Sequence, residues 1–231
     1  MKYRSIGLPL PTWLRKDYLR ALSVVDGTLG RETRLFQIFF AGWTAFAYRM
    51  VTATDDAKRL QRLRPHGTSQ RVNVRFTRIL NAYLFNSCSA VDCLAFACYA
   101  LGAWRSRNDP TAFPTETAKQ LRAVTPTEVA ARYEKHWPTE ALTAGLLALK
   151  RNAEVDFLFT VRDVVTHRGL ILNVQVLAEN RTVIPRNPKD PPDLWIGAPE
   201  VEVSASTVGT LQARLIDHFK AFPVGVRSFV E

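Results

Sequence analysis

The sequence predicts a mainly α protein, an antiparallel helical bundle with a small β-hairpin inserted before the last helix. Three observations lead there. Apolar residues recur at three- and four-residue spacing through most of the chain, the signature of helices with one buried face. Glycine and proline interrupt that pattern at only a few places, which marks the joints. A single stretch, after Gly169, switches to two-residue alternation, the period of a strand. The expected division is an N-terminal arm over 1–32 and a helical domain over 33–231.

Residues 1–30 are mixed in character and are expected to form an irregular arm with one short helix. From Glu32 the series Leu35, Phe36, Phe39, Phe40, Trp43, Phe46, Ala47, Met50 predicts a long apolar helix towards Leu63, stopped by Arg64-Pro65-His66-Gly67. A second long helix over about 72–102 buries Ile79, Leu80, Tyr83, Leu84, Val91, Leu94 and Ala95. Its small residues Ser87, Ser89 and Ala90 suit close approach of a neighbour. Residues 105–115, with two prolines nearby and polar character, read as a loop. Thr125-Pro126-Thr127-Glu128 matches a capping box with proline at the first helical position, and Trp137-Pro138 ends the helix that starts there. A third long helix runs from about Thr139 to Arg168 along Leu142, Leu146, Leu149, Ala153, Phe157, Val161 and Val164. Leu172, Val174 and Val176 alternate with Asn173 and Gln175 as a strand. A proline-rich loop from Pro185 to Pro199 and a returning strand, Glu200 to Val203, follow. The last helix, about 206–222, carries Val208, Leu211, Leu215, Phe219 and Phe222 on one face.

A chain of 231 residues with 47% hydrophobic and 23% charged residues has the balance of a globular domain able to bury a core. Its net charge of +10, with 23 Arg against 8 Lys, favours a polyanionic partner, and arginine is the better residue for two-pronged phosphate contacts. Cys88, Cys93 and Cys98 are five residues apart, about 140° per step on a helix, so they do not converge on one metal. They read as buried free thiols in a reducing cytoplasm. The N-terminus lacks an apolar stretch of signal-peptide length. The apolar runs 35–51 and 88–104 are broken by Gln37 and Arg49 and by Asp92, so both read as core helices and no membrane partner is expected.

The residues with most chemistry are Arg162-Asp163-Val164-Val165-Thr166-His167-Arg168-Gly169. They end the third long helix, with Gly169 placed as its C-terminal cap. Asp163 and His167, four apart, share a face and can hydrogen-bond. A carboxylate on one imidazole nitrogen leaves the other free for proton transfer. The helix C-terminus and Asp163 favour the imidazolium, while Arg162 and Arg168 oppose it, a balance that suits a general base. Arg162 lies about 140° round the helix from His167, so the two serve one small target only with help, which a second protomer could give. Spacing alone leaves two readings open: this pair, or a histidine capping carbonyls beside a surface Arg–Asp ion pair.

This stretch resembles the signature of the HEPN superfamily, in which an arginine, a polar residue and, after three more, a histidine end the penultimate major helix. The segment NAYLFNSCSAVDCLA, residues 81–95, is similar to an early helix of many members, and so is the order of helices, motif, hairpin and last helix. The resemblance covers about residues 33–222, and only the motif is specific. It implies an all-α bundle that pairs as a homodimer with two motifs facing each other. Many members are metal-independent ribonucleases, often toxins or antiviral effectors, and others are non-catalytic nucleotide-binding or scaffold modules. Carried over, Arg162 and His167 would be catalytic, with Asp163 as the polar residue. This chain departs from some toxin members, which have a tyrosine two residues after the histidine where it has Gly169.

The expectation is therefore a cytoplasmic RNA-cleaving homodimer using no metal and no cofactor, with an antitoxin or regulatory protein as a further partner. The alternative is a non-catalytic module binding nucleotide or a partner through the same pocket. The stretch Lys58 to Arg78 holds seven Lys and Arg and no acid, and Arg71, Arg75 and Arg78 share one helix face. These three, with Arg168, are the candidate RNA grip. A plain solvated surface is the competing reading.

Overall fold

The computed structural model describes residues 10, 12–63, 70–167, 181–185 and 200–231. The protein is mainly α. Among the described residues the helices are α1 (Thr12–Leu29), α2 (Arg34–Arg62), α3 (Gln70–Arg105), α4 (Ala118–Arg122), α5 (Pro126–His136), α6 (Ala141–Lys150), α7 (Ala153–His167), α8 (Ala205–Lys220) and α9 (Phe222–Val230). Two strands, β1 (Arg181–Pro185) and β2 (Glu200–Ser204), pair antiparallel, with Arg181 opposite Ser204 and Pro185 opposite Glu200.

Several joints have visible causes. Gly30 adopts φ +80°, a conformation that L side chains resist, and its N–H donates to Asp26 O, so α1 stops there. Thr33 then opens α2, its hydroxyl accepting from the Phe36 N–H at 3.2 Å. The Thr125 hydroxyl accepts from the Glu128 N–H at 3.2 Å and Pro126 starts α5, which is the Thr125 half of the expected capping box; the Glu128 carboxylate pairs with Arg132. Trp137 caps its end.

Four expectations need correction. The arm expected to hold one short helix contains the 18-residue α1, whose Leu14, Tyr18, Ala21, Leu22, Val25 and Leu29 are buried. The third long helix is two, because α6 stops at Lys150 and α7 starts at Ala153. Asn152 stands at that break with its side chain against His218, a side chain that competes with helical backbone bonding. The helix expected over about 206–222 is α8, but it is not the last: α9 follows from Phe222 with Pro223 in its first turn, where its missing N–H costs nothing. The hairpin with Leu172–Val176 as its first strand is not supported. That alternation lies outside the described residues, and β2 pairs instead with the β-branched Thr182, Val183 and Ile184 of β1. The short α4, closed by a full Thr117–Gln120 capping box, is an addition.

The chain divides into two compact units. The first comprises residues 1–51, 89–152 and 216–231. There α1 packs on α9, α5 on α6 and α6 on α9. Aromatic rings make its core. Tyr18 stacks on Trp43 at 5.4 Å, Trp43 meets Phe39 and Phe46, and Phe46 meets Phe219 edge-on. A second group centres on Phe113, which touches Tyr99, Tyr133 and Trp137. Phe229 of α9 closes it against Tyr133 and Trp137. Arg105 lies 4.4 Å from the Phe229 ring centroid and pairs with Glu140 at 2.7 Å.

α2 and α3 approach closely at Gly42. A Cβ there would lie 2.8 Å from Ala97 N and 2.9 Å from Cys93 O. Cys88 and Cys98 are buried, Cys93 is half-buried, and none of the three is in a disulfide; burial pushes the Cys98 thiol up to about 12. By length and composition the stretch Arg75–Arg105 could cross a membrane, but 72% of its apolar window is buried inside the protein.

The second unit comprises residues 52–88 and 153–215. Its interior is more polar. Asp56 of α2, only 4% exposed, accepts from Asn86 Nδ2 of α3 at 3.2 Å. Gln212 Nε2 of α8 donates to Thr54 Oγ1 at 2.9 Å.

Candidate functional site

The motif ends α7, a 15-residue helix with Glu154 and Asp156 in its first turn, where acids complement the exposed N–H groups. Val155 and Leu158 are buried and fix the inward face. Glu154 pairs with Arg214 of α8. The Thr160 hydroxyl donates to Asp156 O at 2.7 Å, satisfying itself against its own helix. Residues that reach the motif are thus held on a helix with two anchors in this unit, one apolar and one ionic.

Arg162 is half-buried, with its guanidinium carbon 4.6 Å from the Phe159 ring centroid. Stacking on an aromatic face restrains a long cationic side chain and adds about 0.5–1 kcal/mol of attraction at such partly exposed positions. Helical backbone extends through His167, so Arg162 and His167 are separated by about 140° round the axis, while Asp163 and His167 share a face. The expected Asp163–His167 hydrogen bond, Arg168 and the Gly169 cap lie outside the described residues. So does the Arg71 side chain.

Two other expected cations are placed. Arg75 and Arg78 are both exposed on α3. Lys58, Arg59 and Arg62 are exposed in the last turns of α2, in the same unit. Asp56, one turn before Arg59, is turned inward to Asn86, and Arg59 reaches back to it at 3.4 Å. Burial raises the Asp56 carboxyl above the ordinary aspartate value, with the Asn86 hydrogen bond and then the Arg59 charge opposing the shift.

Sequence reasoning missed this inner polar layer. Beside Asp56 and Asn86 it contains Tyr83 and Ser87, whose hydroxyls are fully buried with no well-formed hydrogen bond. Burial pushes the Tyr83 hydroxyl far above its usual range, and the nearby Ser87 draws it back only slightly. The available signal was the pair Asp55-Asp56 on a helix that is otherwise apolar on its inner face. Spacing could say that Asp56 faces inward, but not what it meets there.

No family model matches the chain, and no curated protein or solved structure matches it either. The site therefore rests on its own residues.

Proposed function

We propose that the protein is a cytoplasmic, metal-independent endoribonuclease of HEPN type that works as a homodimer, a toxin or defence effector controlled by an antitoxin or regulatory protein. On this reading the helices form an antiparallel bundle and the β1–β2 segment is its insertion. The observation that carries the proposal is Arg162, half-buried near the end of α7 and restrained on Phe159, five residues before His167. A restrained guanidinium is set in advance for the charge that develops on a reacting phosphate.

In this mechanism His167 removes the proton from a ribose 2′-hydroxyl. The 2′-oxygen attacks the adjacent phosphorus, the bond to the 5′-oxygen breaks, and that oxygen leaves with a proton. The products are a 2′,3′-cyclic phosphate and a 5′-hydroxyl. Arg162 stabilises the phosphorane-like transition state, with the second protomer's copy closing the angular gap around α7. Asp163 orients His167 and supports its charged form. The exposed Arg75 and Arg78, together with Arg71 and Arg168, hold the RNA backbone.

End-group analysis tests the chemistry. RNA cut in EDTA should carry 2′,3′-cyclic phosphate ends. Ends with a 3′-hydroxyl, or cleavage that stops in EDTA, would reject the mechanism. Light scattering at micromolar concentration should give a dimer, and a monomer there would remove the shared site.

A further inference from the structure

We infer that the α3 face carrying Arg75 and Arg78 binds single-stranded RNA, with Phe85 as a stacking platform for one base; the identity of the strand as RNA rests on the reading above. Arg71, Arg75, Arg78, Ala82 and Phe85 follow one another at steps of four, three, four and three. That is one stripe along a helix. α3 is continuous helix over all of it. Arg75 and Arg78 are exposed, Ala82 is half-buried, and Phe85 is 51% exposed. Phe76, Leu80, Tyr83 and Leu84 of the same helix are buried, so the inward face is already supplied with apolar side chains.

Charge selects the occupant. From Lys58 to Arg78 the chain carries no acidic residue, and the whole chain is at +10. A half-exposed ring continuing a stripe of arginines matches what a flexible polyanion with planar faces offers, phosphates alternating with bases. Dimensions agree. Arg78 and Phe85 are separated by about 10 Å along the axis and Arg75 and Phe85 by about 15 Å, a span of roughly two nucleotides. A duplex keeps its base faces stacked inside, so it could use the arginines but not the ring. Asn86, next to Phe85, donates to the buried Asp56, which ties this turn of α3 to α2 and gives the ring a firm base.

The test separates stacking from charge, and binding from cleavage. Full-length protein is titrated with a short 2′-O-methyl oligoribonucleotide, which has no free 2′-hydroxyl to attack, and with an abasic strand of equal phosphate number. The parent should bind the base-bearing strand about tenfold more tightly than the abasic one. Phe85→Ala and Phe85→Leu should both lose that preference while retaining the abasic affinity, leucine showing that the ring rather than apolar bulk matters. Arg75→Ala with Arg78→Ala should weaken both strands alike and reduce the salt dependence. Equal parental affinity for the two strands would overturn the inference. So would a preference that survives in Phe85→Ala, or an RNA duplex of the same length that competes equally well. Because none of these readouts needs bond cleavage, a protein that shows the predicted binding pattern but never cuts RNA would refute only the catalytic reading.

Discussion

The two units differ most in what they bury. In the first, the interior is built of rings: Tyr18, Trp43, Phe46, Phe113, Tyr133 and Phe219 are almost fully covered. Enclosed hydroxyls there have partners, as when the Tyr133 hydroxyl donates to Cys98 O at 2.6 Å and the Thr143 hydroxyl to Trp137 O at 2.6 Å, although Arg227 Nε is buried without one. In the second, Asp56, Asn86, Ser87 and Gln212 are buried, and Tyr83, Ser87 and Gln212 each have a polar atom without a partner. Such atoms cost stability. One unit is therefore optimised for packing. The other tolerates a polar interior beneath the same helices that carry the arginine stripe and the α7 motif, which is where chemistry is expected to be placed at the expense of stability.

The comparison can be broken most sharply at Phe113. Phe113→Ala removes the ring that joins Tyr99, Tyr133 and Trp137, and urea denaturation should show a loss of about 3–5 kcal/mol. A loss under 1 kcal/mol would mean that this unit is not held by its aromatic centre. Gly42→Ala comes next. Its methyl would meet the backbone of Cys93 and Ala97 rather than a movable side chain, so despite alanine's better helix propensity we expect a destabilisation of about 1–3 kcal/mol. Tyr133→Phe keeps the ring and deletes one enclosed hydrogen bond, for a loss of about 1 kcal/mol.

The smallest effect lies in the polar unit and is read by pH. Asp56 has a folded-state pKa above its unfolded value. The folded state therefore holds the proton more tightly, and this group's favourable contribution is complete below the unfolded value and lost as pH rises through the folded one. Asp56→Asn should flatten that part of the stability–pH curve on the acid side of neutrality. An unchanged curve would show that the carboxyl is solvated after all.

Much of this was legible in the chain. Helical spacing located α2 and α3 because each has a wide apolar stripe, and Thr125-Pro126 named the start of α5. Phe113 was not legible as a core residue, since it sits in a loop and a single ring has no period. The break at Asn152 was hidden for the opposite reason: apolar spacing continues across it from Leu149 to Ala153, while the interruption depends on a side chain meeting His218 from a distant segment. The α1 helix was obscured by the prolines and glycines flanking it. At the site, register placed Arg162, Asp163 and His167 on their helix. The Phe159 ring beneath Arg162 was only three residues away, but spacing alone could not show that the two stack. Asp56 and its partners required knowledge of which helix faces which.

The central claim is that the end of α7 cuts RNA, and the direct measurement is cleavage and binding side by side for the parent, His167→Ala and Arg162→Ala in EDTA. Our account predicts that His167→Ala loses cleavage by at least a hundredfold, about 2.7 kcal/mol of transition-state stabilisation, while binding the same RNA as the parent does. Arg162→Ala should fall comparably in cleavage with binding altered less than threefold. Parental cleavage rates in His167→Ala, or loss of binding in step with cleavage in both variants, would contradict it.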